Sequence, residues 1–259
     1  MNDVRKYYDY EVRAAKSALK TEVADSFLNW IWWDLDPLFT MAIYYVVFGH
    51  IFKSKEPHFT VFLFIGLTVW GFFSRNVQQS VKLVKKNKSI INKVYIPKFV
   101  LLFTNMMVNG FKMLISWGIV VLMLIFSKVE PSWYMLAFFP LMVVLMIITF
   151  GFSSIMLHFG VFIEDLSNVV SILFKMLYYA TGIFYSIQKR VGVDHPKAAK
   201  ILYNGNPMAL LITDMRNVLI NQTAPNWKAL LIWTLIGLLL SCIGVRTIYK
   251  NENSYVKVI

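Results

Sequence analysis

Apolar residues along this chain gather into six long runs separated by short polar breaks, near residues 36–52, 59–74, 99–126, 133–163, 169–187 and 227–245. A helix rises about 1.5 Å per residue, so about 20 apolar residues cross a hydrocarbon core about 30 Å thick. A barrel strand needs only about 10. The pattern therefore predicts an all-α integral membrane protein with about six transmembrane helices and both termini on one side. The first two runs are short for a bilayer and the third and fourth are long, which predicts tilting or helical extension beyond the membrane.

Three further segments carry an amphipathic, helical spacing. Leu19, Val23, Phe27, Trp30 and Ile31 share one face, opposite Lys16, Lys20, Glu22, Asp25 and Asn29. Such a segment lies in the membrane interface, as an anchor or a gate, and leads into the first span at Pro37, a residue accepted in a helix's first turn. In the polar loop 75–98, Ile90, Ile91, Val94 and Tyr95 share a face just before Pro97. A short amphipathic helix of this kind suits docking into a groove on a partner. The connection 188–226 is long for a simple connector. Within it Leu210, Leu211, Met215, Val218 and Leu219 cluster on one side after Asn206-Pro207, which predicts an outer re-entrant or interfacial helix before the last span.

Composition strengthens the membrane reading, since 58% of residues are hydrophobic where soluble domains hold about 45–50%. Of 26 Lys and Arg, fifteen fall on the side of the termini and nine on the other, with Lys112 and Lys175 inside spans. Seven of the fifteen lie in the 75–98 loop, so that loop and both termini are assigned to the cytosol. The net charge of +12 sits mostly beside the spans, where it touches anionic membrane lipid, and no nucleic-acid partner is expected. The N-terminus is charged and mixed in sign, without the pattern of a cleaved signal peptide.

Little in the chain suggests chemistry of its own. Cys242 is the only cysteine, and His50, His58, His158 and His195 lack a paired-ligand spacing, so no metal site is expected. No phosphate-binding loop motif is present, so ATP would have to be bound by another subunit. Glu164 and Asp165 are adjacent and point apart, which suits a polar turn or a helix cap rather than a catalytic pair. Lys112 and Lys175 are costly within spans and are expected to face a bundle interior or aqueous path, or, for Lys175, to snorkel. Aromatic residues such as Tyr44, Phe72, Tyr178, Phe184 and Tyr185 serve an interface belt or line a path in which rings pack on sugar C–H faces.

Three motifs resemble the membrane subunit of ABC-2 type exporters, particularly those for O-antigen polysaccharide and teichoic acid. Leu28-Asn29-x-x-Trp32…Pro37…Tyr44…Phe48-Gly49 is similar to that family's entry into its first span, with Asn29 in place of Gly. The stretch from Asn87 to Pro97 resembles the cytosolic loop by which that family docks on its ATPase. Gly182-Ile183-Phe184-Tyr185-Ser186 and Asn206-Pro207-Met208…Leu211-Ile212…Arg216 are similar to its outer segment, with Thr181-Gly182 where Ser-Pro is usual.

The resemblance implies a single ABC-2 type transmembrane domain over 1–259, with a cytosolic and interfacial helix (1–35), a coupling loop (75–98) and an outer re-entrant segment (188–226). It implies a homodimer in the bacterial cytoplasmic membrane, bound to two copies of an ATPase subunit that holds ATP and Mg, with no cofactor in this chain. The cargo it implies is a lipid-linked glycan. By the same resemblance Ile90, Ile91, Asn92, Lys93, Val94, Tyr95 and Pro97 couple to the ATPase, and Glu164 and Asp165, in a polar turn assigned to the cytosolic side, are expected to join them as a partner contact. Phe27, Trp30, Trp32, Trp33 and Pro37 form the gate helix. Tyr44, Phe72, Lys112, Tyr178, Phe184 and Tyr185 are candidates for the path, and Asn206, Pro207 and Arg216 for the outer segment. Two other readings stay open: an ABC-2 permease for lipid, drug or peptide, and a membrane enzyme acting on lipid-linked sugars.

Overall fold

The computed structural model of the chain describes residues 11–20, 29–51, 56–93 and 96–258, with the backbone alone at 29–34, 90 and 256–258. All its regular elements among these residues are helical. Helix α1 covers residues 11–20. It is followed by α2 (Asn29–Tyr44), which runs on as a π-helix over Tyr45–Ile51, then α3 (Phe59–Lys86), a short α4 (Lys88–Ile91) and α5 (Lys98–Phe126). A 3-10 turn at Trp133–Ala137 opens α6 (Phe138–Phe162). Then come α7 (Leu166–Ala180), a short α8 (Ile187–Arg190), α9 (Pro196–Gly205), α10 (Pro207–Leu219) and α11 (Trp227–Val258).

Four helices among the described residues are long and apolar enough to cross a membrane: Phe59–Lys86, Lys98–Phe126, Trp133–Phe162 and Trp227–Tyr255. Leu35–Ile51 and Leu166–Ala180 are apolar but shorter. In its most apolar window α3 is 83% buried, against 39% for α5, 33% for the α6 span and 22% for α11. The core is therefore built around α3, and the other three turn apolar faces outward, where water would be an unfavourable solvent. Helices α6 and α11 approach closely through small residues: a Cβ on Gly151 would lie 2.7 Å from the Gly237 carbonyl oxygen, and one on Gly244 would collide with Ser154. Small residues at such crossings let backbones pack by dispersion where lipid offers no hydrophobic drive.

Several boundaries differ from the sequence expectation, each for a local reason. The second span was expected to end near residue 74, but α3 continues to Lys86. Asn76, Val77, Ser80, Val81 and Val84 keep one face buried beyond the apolar run. Asn87 then closes the helix, its side-chain N–H donating to the Leu83 carbonyl (2.8 Å). Pro37 stands inside α2 rather than in a first turn. Its ring leaves the residue 33 carbonyl without the usual helical donor. The last helix extends well beyond residue 245, to Val258.

Candidate functional site

At one end of the bundle, Arg216 of α10 is buried (3% exposed) and spends its guanidinium on backbone carbonyls. Its Nε donates to Phe62 O (3.0 Å), Nη1 to Gly182 O (2.8 Å) and Nη2 to Ile183 O (2.8 Å). The guanidinium also lies 3.4 Å from the Phe62 ring centroid, a cation–π contact. The local sequence makes this geometry available. Asn206 caps α10 by accepting from Met208 N (3.0 Å) and Ala209 N (3.4 Å), and Pro207 fills the first turn. Gly182, at φ +73°, ends α7 in the left-handed region and turns its carbonyl toward Arg216. Gly66 leaves room, since a Cβ there would sit 2.7 Å from Arg216 Nη2.

Beside this anchor an aromatic cluster joins α2, α3, α7 and the turn after α7. The Phe184 ring packs edge-on to Tyr44 (4.6 Å between centroids), stacks on Phe48 (4.8 Å) and meets Tyr178 edge-on (5.1 Å). Trp70 extends it toward Tyr178 (5.8 Å) and Phe174 (5.6 Å), and Phe73 stacks on Phe174 (5.5 Å). Phe184, Trp70 and Phe73 are buried, so the mixed edge and face contacts pack the core, with Tyr44 and Tyr178 half-buried beside them. Outside this cluster, Asp214 accepts from Tyr203 Oη (2.7 Å), Asn226 N (3.0 Å) and Asn217 Nδ2 (3.4 Å). Burial pushes its carboxyl above the usual range, although all three hydrogen bonds pull the other way.

The opposite end carries the basic loop. Ile91 is buried with Leu83, Val84, Leu101, Leu102, Leu157, Val161, Ile248 and Tyr255. Beneath it the Lys98 ammonium is 3.4 Å from Glu252 Oε1, with side chains 2% and 8% exposed, and Lys98 N donates to the same oxygen (3.2 Å). Between the two ends runs an amide ladder: Asn109 Nδ2 donates to Asn76 Oδ1 (3.0 Å) and Gln79 Oε1 (2.8 Å), and Asn105 Nδ2 donates to Asn76 Oδ1 (3.3 Å). Among the described residues no three His, Cys, Asp or Glu stand close enough to hold a metal ion.

An all-helical bundle, a capped helix α10 tied to α3 and a basic loop folded onto the other end coincide with a family match. Residues 14–220 match the ABC-2 type transporter family. The chain belongs to the ABC-2 type transporter family. It is similar over nearly its whole length to two proteins of Klebsiella pneumoniae described as O-antigen export system permease protein RfbA. One is 27% identical and the other 25%, each over 97% of this chain and 95% of the relative. A Myxococcus xanthus protein of the same description is 23% identical over 92% of this chain and 91% of the relative. The chain is thus the permease subunit of an ABC exporter.

In this ABC-2 permease the expected path residues divide. Tyr44, Tyr178 and Phe184 meet, and Tyr185 lies beside them with its hydroxyl donating to the Tyr179 carbonyl (3.1 Å). Phe72 faces the other way, into an apolar cavity of about 710 Å³ shared with α5, α6 and α11. Lys112 is half-buried on α5, and Lys175 is exposed on α7.

Of the coupling residues, Asn92 and Lys93 are exposed in a turn, while Ile91 and Pro97 are buried. Of the short amphipathic helix expected to carry Ile90, Ile91, Val94 and Tyr95 on one face, α4 supplies Lys88–Ile91 and a turn follows at 92–93, with Val94 and Tyr95 outside the described residues. Ile91 therefore faces this chain's own core rather than a partner, and at Ile90 the backbone alone is described. Glu164 and Asp165 are exposed between α6 and α7, with Asp165 at the cap of α7. Phe27 lies outside the described residues, and Trp30, Trp32 and Trp33 are described by backbone alone. The amide ladder escaped sequence reading. Its signal is Asn105 and Asn109 one turn apart, facing Asn76 and Gln79 on the neighbouring helix.

Proposed function

We propose that two copies of this chain form a channel, bound to two copies of a separate ABC ATPase that holds ATP and Mg. The channel moves a lipid-linked polysaccharide, O-antigen, teichoic acid or a similar envelope glycan, outward across the bacterial cytoplasmic membrane. The observation that carries this reading is the near full-length similarity to O-antigen export permeases.

The fold supports six crossings if the two shorter apolar helices join the four long ones. The termini and the basic loop then share the cytosolic side, as the lysine distribution requires. The whole chain acts as one transmembrane unit, with 1–35 at the interface, 75–98, the end of α3 and the short loop after it, as the coupling segment, and 188–226 at the outer mouth. Ile90, Asn92, Lys93, Val94, Tyr95, Pro97, Glu164 and Asp165 transmit movement from the ATPase, and Phe27, Trp30, Trp32, Trp33 and Pro37 gate the entry. Tyr44, Tyr178 and Tyr185, packed around the buried Phe184, offer rings to sugar C–H faces, and Asn206, Pro207 and Arg216 hold the outer segment.

Deleting the chain in its native cell and staining the surface glycan tests the reading. Loss of surface glycan with accumulation of lipid-linked glycan inside, restored by the wild-type chain, is the expected result, together with an ABC ATPase co-purifying with the tagged chain. Unchanged surface glycan points to another cargo.

A further inference from the structure

Between α3, α5 and α7, at the basic end of α3, lies a cavity of about 410 Å³ that the coupling and path residues do not use. Its size falls in the range of small-ligand pockets, about 300–1,000 Å³. The floor is buried, with Asn109 at 4% and Leu83 at 7% exposure, while Gln79, Lys82, Lys86 and Asn168 are exposed at its rim. The lining carries amides, hydroxyls and two lysines, and none of its residues is acidic.

We infer that this cavity binds a phosphorylated sugar, the lysines taking the phosphate and the amides the ring hydroxyls. The inference rests on the glycan reading above and adds the place where the head of the lipid-linked molecule is held. Lys82 and Lys86 stand four apart on one face of α3, where like charges repel. An anion between them turns that repulsion into two charge-assisted contacts.

The amides have fixed orientations. Asn109 gives its two N–H groups to Asn76 and Gln79, and Asn76, wholly buried, gives its own to the Phe72 carbonyl (2.8 Å). Gln79 accepts with its carbonyl and so keeps an N–H₂ to donate. Asn109 donates with its nitrogen and so keeps an acceptor oxygen. Across the cavity, Asn168 of α7 adds an exposed amide, and Ser171, whose hydroxyl donates to the Ser167 carbonyl (2.7 Å), adds an acceptor oxygen. A lining that holds both donors and acceptors suits sugar hydroxyls, which are both. Contact with lipid headgroups accounts for the lysines alone, and the ladder between α3 and α5 accounts for Asn105 and Asn109, but neither accounts for the exposed Asn168 amide or the N–H₂ that Gln79 keeps at the cavity.

The test uses the permease with its ATPase partner in phosphatidylcholine nanodiscs and a radiolabelled probe, citronellyl diphosphate N-acetylglucosamine. Saturable binding is expected. The Lys82→Gln/Lys86→Gln variant weakens it by about tenfold or more, as loss of a charge-assisted bond does. Asn168→Leu weakens the probe but leaves competition by inorganic pyrophosphate unchanged. Both variants alter exposed side chains, and an unchanged melting temperature verifies their fold. Equal probe affinity in wild type and both variants overturns the site while the permease reading stands. Displacement of the probe by phosphatidylglycerol as readily as by unlabelled probe assigns the lysines to headgroup contact and also overturns it. Absence of wild-type binding overturns the site, and if surface glycan also persists in the deletion strain, the glycan reading falls with it.

Discussion

Arg216 satisfies three buried carbonyls on two other segments, and each carbonyl left without a donor costs about 1–3 kcal/mol. Arg216→Met is therefore expected to lower the melting temperature of the purified permease sharply. Gly66→Val should act in the same direction, because a side chain there enters the space of Nη2. Since both changes break one contact, the double variant should lose clearly less than the sum of the two single losses. Fully additive losses, read by thermal unfolding in detergent, would show that Gly66 and Arg216 do not share that contact. The anchor was partly legible in sequence: Arg216 stood out in the outer motif, but its acceptors are backbone oxygens, which no side-chain pattern reveals.

Among elements, the basic loop separates two roles that one apolar face had suggested together. Ile91 is core, so Ile91→Asp is expected to destabilise the packing of α3, α5 and α11 and to reduce the yield of folded protein, by the cost of burying an unpaired charge. Lys93→Glu changes an exposed turn and is expected to leave the melting temperature alone while lowering recovery of the ATPase on affinity purification. The reverse pattern would place the partner's groove over Ile91. A short amphipathic segment looks the same in sequence whether its apolar side meets its own chain or another, which is why burial had to decide. Helix α3 was misjudged differently. Hydropathy falls after residue 74, yet Asn76, Val77, Ser80, Val81 and Val84 keep a helical repeat that was readable as one buried stripe. The aromatic cluster was readable as residue types but not as neighbours. Phe72 and Phe73 are adjacent in sequence and face different helices, Phe73 toward Phe174 of α7 and Phe72 toward the apolar cavity.

At the scale of the molecule, the all-helical class and the long apolar helices followed from hydropathy, because lipid constrains length and polarity more tightly than water does. What joins distant parts did not. The Lys98–Glu252 pair links the start of α5 to the far end of α11 across 154 positions in sequence. A charge stripped of a buried partner costs about 3–5 kcal/mol. Glu252→Leu alone is expected to lower the melting temperature markedly, and Lys98→Met added to it to restore much of the loss. A double variant as unstable as the single one would mean the pair matters through the Lys98 backbone bond instead.

The central helix α3 takes hold at both its ends: near Phe62 through the Arg216 guanidinium, and near Leu83 and Val84 through the packed side chains under the basic loop. Twenty-eight residues at about 1.5 Å each make a rod of about 42 Å, and a rocking of roughly 10° about its middle displaces each tip by roughly 4 Å. Because the guanidinium also grips the turn after α7, that displacement cannot stay with α3. A lever clamped in this way carries a displacement of one end of the bundle to the other, without any stretch of chain having to unfold between them.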